Sequence, residues 1–408
     1  MSVGVQAFQG SRLTEARRAC AFSKKDLADK IGVSGTAIAN YEGGRDRPQH
    51  DRLCALANEL RFPYEFFLRP SWGEAIDLVF WRSRAAETKT ARVMTEQRMR
   101  WLCETFAFLE SDLTFPHHAL PRLDIPDDFR LITGEVIERA AEALRADWKL
   151  GPRPIPDVML ALENVGIPVA SLDIRSDKQD GFCFRSAYLG RPFVGINTYN
   201  ISCARARYDC AHELGHIVLH GRVTPQQESD AALHKVIEAQ AHRFAGAFLF
   251  PREAFFEEVR TASLDYFCSL KRRWGMSIGA MIYRASDLGL IDEGERGVLF
   301  RNLTRRGWRG ALREPFDRRD EMPMERPRML RRGVEVLLSE GFYTRAGLQA
   351  SLALPDGEIE QLTGLDEGFL QTAEIVQLAV PKFGRHLRTR DLESGEVVEF
   401  TKRFDRDR

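Results

Sequence analysis

From Arg205 to His220 the chain reads Arg-Ala-Arg-Tyr-Asp-Cys-Ala-His-Glu-Leu-Gly-His-Ile-Val-Leu-His, and its centre, His212-Glu213-Leu214-Gly215-His216, constrains the fold more than any other stretch. Side chains four apart lie one above the other on a helix, so the two imidazoles can converge on one Zn²⁺. Glu213 then falls beside the metal rather than on it. A carboxylate there can accept the proton of an attacking water and hand it to a leaving amine, as the general base of a zinc peptidase does. The bare H-E-x-x-H pattern also arises by chance in unrelated helices, so its surroundings matter. Ala211, Leu214, Ile217 and Val218 wrap it in apolar surface, as a buried helix requires.

Two histidines leave a catalytic zinc one protein ligand short. The spacing H-E-x-x-H-x-x-G-x-x-H does not supply it, because Leu219 and Arg222 occupy the Gly and final His positions. His220 lies a further turn along the same helix, about 5.4 Å of rise beyond His216. Three ligands in a row on one straight helix close poorly round a tetrahedral ion, so His220 reads as a supporting or helix-end histidine. Glu238 is the better candidate, on a second amphipathic helix whose apolar side carries Ala241, Phe244, Ala245 and Phe248 and which ends before Pro251. His242 shares its face four residues on, placed to orient a neighbouring ligand. Glu228 and Asp230, in the intervening loop, are the alternatives.

Residues 180–251 resemble the ImmA/IrrE family of zinc-dependent metallopeptidases. The resemblance rests on the lead-in Arg205-Ala-Arg207-Tyr208, the H-E-L-G-H core with its apolar run to His220, and the later segment from Glu238 to Pro251. It implies His212, His216 and Glu238 as zinc ligands and Glu213 as catalytic base. His242 stands where the family usually has Asn; either side chain donates a hydrogen bond.

The N-terminal 70 residues follow a different logic. Five short helical patterns succeed one another between residues 11 and 69, with Ser11, Ser23 and Ser34 as caps and Gly32-Val33 as the tight turn of a helix-turn-helix. Lys24 to Ser34, followed by Ala37 to Arg45, resembles the lambda-repressor-like, or Xre-type, DNA-binding domain. The resemblance places Ser34, Gly35, Thr36, Ala37 and Asn40 toward the major groove of double-stranded operator DNA, with Lys24, Lys25 and Arg45 near phosphates. Gly35 stands where a longer polar reader is common, leaving base discrimination mainly to Thr36 and Asn40. With 11 Lys/Arg against 8 Asp/Glu in residues 1–70, this domain is only mildly basic, which favours a homodimer on a two-fold operator.

At 408 residues, with 59 basic and 59 acidic side chains, the chain has room for several domains and is not basic throughout. It has no long apolar run and no basic-then-apolar leader, so no membrane segment is expected and a cytoplasmic location is. Seven scattered cysteines without C-x-x-C pairs make neither a disulfide framework nor a cysteine zinc site. Cys210, two residues before His212, is the one with a conceivable redox or metal-competing role.

The expected fold class is mostly α and multidomain: a five-helix lambda-repressor-like domain, then an α+β zincin-like metallopeptidase domain with a small sheet, then a helical C-terminal region. The boundaries are drawn at 1–70, 71–126 (helical connector), 127–292 (peptidase) and 293–408. In the connector, Trp81, Val93, Met94, Trp101, Leu102, Phe106 and Leu109 form an apolar stripe suited to a helix seam or dimer surface, and residues 114–126 an extended joint. Helices are expected over Gly134 to Trp148 and Ile155 to Asn164, and short strands over residues 166–172, 181–185 and 192–197. By resemblance to zinc peptidases, 192–197 is the edge strand to which a substrate peptide would add. After Pro251 come helices over Glu253 to Val259, Tyr266 to Trp274 and Ser277 to Leu288, the last two shaped like a second helix-turn-helix. Its run Lys271-Arg272-Arg273 reads as a solvated face, with nucleic-acid contact as the alternative. Residues 301–330 read as a tether, Leu330 to Leu338, Thr344 to Leu352 and Asp356 to Leu362 as a helical module, and Val397 to Phe400 as a strand.

Together these readings point to a DNA-binding regulator carrying a zinc endopeptidase whose substrate is a protein, by resemblance a helix-turn-helix repressor. The competing reading is a transcription factor whose peptidase-like domain is a non-catalytic sensor. A third is a structural zinc site closed by His242 or His220.

Overall fold

The structure, a computed structural model, describes residues 4–73, 79–81, 89–174 and 181–371. The strand expected at Val397 to Phe400 lies outside the described residues. Four helices, α1 (Gly10–Ala19), α2 (Lys24–Ile31), α3 (Gly35–Glu42) and α4 (His50–Leu60), and a 3₁₀ turn over Tyr64–Leu68 form the N-terminal domain. Local chemistry sets the boundaries. Ser23 and Asp26 make a reciprocal capping box at the start of α2, Gly32 ends that helix in the left-handed conformation at φ 66°, and Ser34 Oγ accepts the Ala37 N–H to open α3. Each such cap is worth about 1 kcal/mol. Leu13, Leu27, Ile38, Leu53 and Leu56, all at zero exposure, lock the helices together.

Strand β1 (Val79–Trp81) and the long helix α5 (Lys89–Glu110) follow. The stretch expected as a connector is instead packed into one core with the N-terminal domain, one face of the sheet and the C-terminal helices. Trp101 of α5 sits among Phe62 and Phe66 of the N-terminal domain. Arg12 of α1, buried, binds Glu104 of α5 at 2.5 Å and the carbonyl of Pro70 at 2.6 Å. Further along, Phe106 packs edge-on against Phe193, and the Arg191 guanidinium lies 4.5 Å above the Phe106 ring. Trp101, Leu102, Phe106 and Leu109 are all buried, so this part of the stripe is used inside the chain and does not offer the dimer surface expected of it.

Helices α6 (Gly134–Asp147) and α7 (Val158–Asn164) lead into β2 (Val169–Leu172), β3 (Gly181–Ser186) and β4 (Arg191–Asn197). The four strands form one sheet in the order β1-β3-β4-β2, with β2 and β4 parallel and the other pairs antiparallel. The expectation that 192–197 is an edge is therefore corrected: β4 is bonded on both sides. All seven of its residues are buried, as a strand covered on both faces requires. The sheet divides two apolar cores by the alternation of its side chains. Val169, Cys183, Val194 and Ile196 face the peptidase-like helices, while Ala170, Leu172, Phe182, Phe184 and Phe193 face α5 and the N-terminal domain.

Beyond the sheet come α8 (Cys203–Leu219), α9 (Pro225–Ser229), α10 (Ala231–Leu249), α11 (Arg252–Glu258), α12 (Leu264–Trp274), α13 (Ile278–Asp287) and α14 (Glu293–Arg305). The expected C-terminal module is present as α15 (Met329–Ser339), α16 (Arg345–Leu352) and α17 (Asp356–Thr363), tied to α5 by Arg98–Glu358 at 2.7 Å. Residues 306–328, expected as a tether, form a strap held by buried carboxylates. Glu314 accepts from Lys271 Nζ and from the first two backbone amides of α13, Asp317 accepts from the same Lys271, and Glu325 accepts from the first amides of α7 and from Arg207. Lys271 is fully buried in this cluster, so it belongs neither to a solvated face nor to a nucleic-acid surface.

Candidate metal centre and DNA-reading helix

Helix α8 opens on Ser202, whose side chain accepts the Arg205 N–H, and α10 opens on Asp230, which accepts from Ala232 and Leu233. The two helices run past each other closely because Gly215 lacks a side chain: a Cβ there would sit 3.2 Å from Ala241 Cα. That approach brings Glu238 within reach of the histidine pair. His212 Nε2 and His216 Nε2 are 3.1 Å apart, and the Glu238 carboxylate lies 3.4 Å from the first and 3.2 Å from the second. Ligands about 2.05 Å from a tetrahedral ion stand about 3.3 Å from one another. The three edges therefore match the spacing of ligands round one tetrahedral ion, and two imidazoles with a carboxylate are a donor set suited to a divalent first-row metal, zinc among them. Both histidines are fully buried and Glu238 nearly so.

Glu213 is fully buried beside this triangle, against the sheet: a Cβ on Gly181 would lie 3.1 Å from its Oε1. Burial, and behind it the Glu213 carboxylate, pushes the Cys183 thiol well above its ordinary range. Cys210 is likewise buried with its thiol pushed well up by desolvation, an inert state rather than a redox-active one. The alternative ligands lie elsewhere. Asp230 caps α10, and buried Glu228 is 3.6 Å from His234.

His220, at the end of α8, faces His216 through Nδ1 and Gln240 through Nε2. Burial, with His216 alongside, pushes its pKa down to about 3, so it is neutral at physiological pH. His242 is brought close as well. Its ring centroid is 4.4 Å from that of His212, and Tyr208 donates to its backbone carbonyl at 3.0 Å. His212, Glu238 and His242 can also offer ligand atoms within 4.8 Å of one another. His216 Nε2, 3.1 Å from His212 Nε2 and 3.2 Å from the Glu238 carboxylate, is the corner that the sequence expects. The sequence points to His242 as an orienting group or, in the structural-zinc reading, as a closing ligand; it gives no sign of Gln240, because a glutamine within a helix carries no local signal of such a role.

The Arg-x-Arg-Tyr lead-in has a structural account. Arg205 pairs with Asp209 at 3.0 Å, Arg207 binds Glu325 of the strap and the Ile155 carbonyl, and Tyr208 braces His242.

In the N-terminal domain Ser34, Thr36 and Arg45 are exposed, and Ala37 and Asn40 are half-buried. Lys24 and Lys25 are both exposed, and Lys24 Nζ lies 3.3 Å from Glu42. Ser34 and Ala37 bond to each other across the first turn of α3; Tyr41 is buried and Glu42 is held by Arg17, which leaves Thr36 and Asn40 as the other polar side chains of that helix.

Fold and site define a two-part protein, a helix-turn-helix domain joined to a peptidase-type domain. Residues 162–286 match the family model described as IrrE N-terminal-like domain, and residues 10–65 match a helix-turn-helix domain model. The chain thus carries a helix-turn-helix regulator domain and an IrrE-like domain of the M78 peptidase type. It is also 38% identical over 63 residues to a protein of Rhodospirillum rubrum described as an uncharacterized transcriptional regulator in the ATPase CF(0) region. That similarity covers 15% of this chain and 58% of the relative. Among the described residues no helix is long and apolar enough to cross a membrane.

Proposed function

We propose that this protein is a DNA-binding regulator whose IrrE-like domain is a zinc endopeptidase acting on another protein, a helix-turn-helix repressor by resemblance. The observation that supports it best is the triangle of His212, His216 and Glu238, sized for one ion, with the carboxylate of Glu213 beside it. Zinc bound there would polarise the scissile carbonyl and bring the pKa of an attacking water near 7. In this reading Glu213 takes the proton from that water and delivers it to the leaving amide nitrogen. Its full burial keeps bulk water from competing for that proton. Glu213→Gln should keep the fold, the metal and the DNA binding while abolishing cleavage of a co-encoded repressor; regulation that persists unchanged in this variant would favour a sensor role.

On the DNA side, we assign Thr36 and Asn40 to base edges, Ser34 and Ala37 to the groove-facing first turn, and Lys24, Lys25 and Arg45 to phosphates, in a homodimer on a two-fold operator. Footprinting of wild-type protein against Asn40→Ala tests this assignment. A second reading of the metal site has its own support: His242, close to both His212 and Glu238, would close the coordination sphere and make the zinc structural. Loss of the fold on chelation would distinguish it.

A further inference from the structure

Next to the candidate metal centre lies a cavity of about 480 Å³, within the range of about 300–1,000 Å³ typical of ligand sites. Its walls carry Tyr208, Tyr283, Phe300, Leu303, Trp308 and Leu312, together with His242. Tyr208 stands one helical turn before His212, and the His242 ring packs against that of His212 at 4.4 Å between centroids, so one residue separates the cavity from the metal cluster. The acidic groups on its wall do not present bare charge. Glu314 and Asp317 are both held by Lys271, and Glu314 also accepts two amides at the start of α13. Arg205 on the same wall is paired with Asp209. Arg309 remains as a positive charge there, which disfavours a cationic guest.

We infer that this cavity receives a large apolar side chain, aromatic or leucine-like, from the residue flanking the bond cut at the metal cluster. The inference rests on the peptidase reading and adds the class of side chain selected. An aromatic guest would bury most of its surface among the rings lining the cavity, while an ammonium would be repelled by Arg309 and a carboxylate would gain only a solvent-screened pairing with that exposed guanidinium. Phe300, Leu303 and the strap residues 308–317 lie beyond the stretch that matches the IrrE-like model, 162–286, whereas Tyr208 and Tyr283 lie within it.

The test uses the full-length protein, metal-free and zinc-loaded, with capped amino-acid amides as probes in ligand-observed NMR. N-acetylphenylalaninamide should bind at least tenfold more tightly than the glycine and aspartate equivalents. Gly279 lines the cavity, and a Cβ added there meets only ordinary contacts, 3.7 Å from Glu314 and 3.8 Å from Phe300. Gly279→Ala should therefore keep the preference and Gly279→Leu should remove it; Ala280→Leu fills the same wall should the first variant not fold. Equal binding of the three amides, or a preference intact in a folded filled variant, overturns the inference. Cleavage of a peptide library should occur beside Phe, Tyr or Leu, and cuts without that preference also overturn it. Selective binding with no cleavage at all would sink the peptidase reading while leaving the cavity's specificity in place.

Discussion

His216 and His220 face each other through their Nδ1 atoms at 3.0 Å, and the direction of that hydrogen bond is set from behind. Gln240 donates both amide protons to backbone, to Phe129 O at 2.7 Å and Ile132 O at 3.0 Å. Its oxygen must therefore accept, and the His220 Nε2–H donates to it at 3.0 Å. A neutral imidazole has only one proton, so His220 Nδ1 accepts from His216 Nδ1–H. The lone pair of His216 is then on Nε2, facing His212 and Glu238. Removing this support through Gln240→Leu should weaken zinc binding by about 10–100-fold, read by competition with a chromogenic chelator; an unchanged affinity would dissociate Gln240 from the metal centre.

The close passage of α8 and α10 depends on Gly215. Gly215→Val would push Ala241 and Phe244 away and carry Glu238 out of the triangle. We expect a stability loss of about 1–3 kcal/mol together with loss of stoichiometric zinc. Metal analysis and thermal melting check both, and zinc retained at full stoichiometry would contradict the packing argument.

Lys271 is an ammonium fully buried between Glu314 and Asp317. Lys271→Met leaves two carboxylates buried without their cation and should cost about 3–5 kcal/mol. Adding Glu314→Gln and Asp317→Asn should restore part of that loss. Denaturant titration of the single and triple variants measures the difference; a neutral effect of Lys271→Met would place this lysine at the surface.

Burial raises Glu163 from 4.5 to about 7, although its carboxylate accepts the amides of Arg328 and Met329. A carboxyl raised on folding contributes stability that is fully present below pH 4.5 and is lost as the pH rises through 7. The displacement corresponds to about 3 kcal/mol. Stability should therefore slope downward from pH 5 to 8 in the wild type and less steeply in Glu163→Gln. Identical slopes from denaturant melts across that range would show that Glu163 ionises freely.

The local features were legible because they obey helical spacing. His212, Glu213 and His216 needed only one helix to come together, and the caps at Ser23 and Ser34 announced their helices directly. Glu238 was legible as a second amphipathic helix, but the glycine that brings it near was not read as a packing device. Non-local partnerships were out of reach. The stripe on α5 looks the same whether it meets another chain or the N-terminal domain of its own. Pairing in β4 depends on strands far away in sequence, although its unbroken run of buried residues is the mark of an interior strand. Lys271 reads as one of three basic residues in a row, and its partners stand 43 and 46 positions further on.

The most direct test of the account is X-ray absorption at the zinc edge of the zinc-loaded protein, in wild type and in His242→Asn. The account predicts two imidazole nitrogens, with oxygen ligands making up the rest of the first shell, and no change in the variant. A third imidazole that disappears in His242→Asn, or a first shell lacking either of His212 and His216, would contradict an open catalytic site.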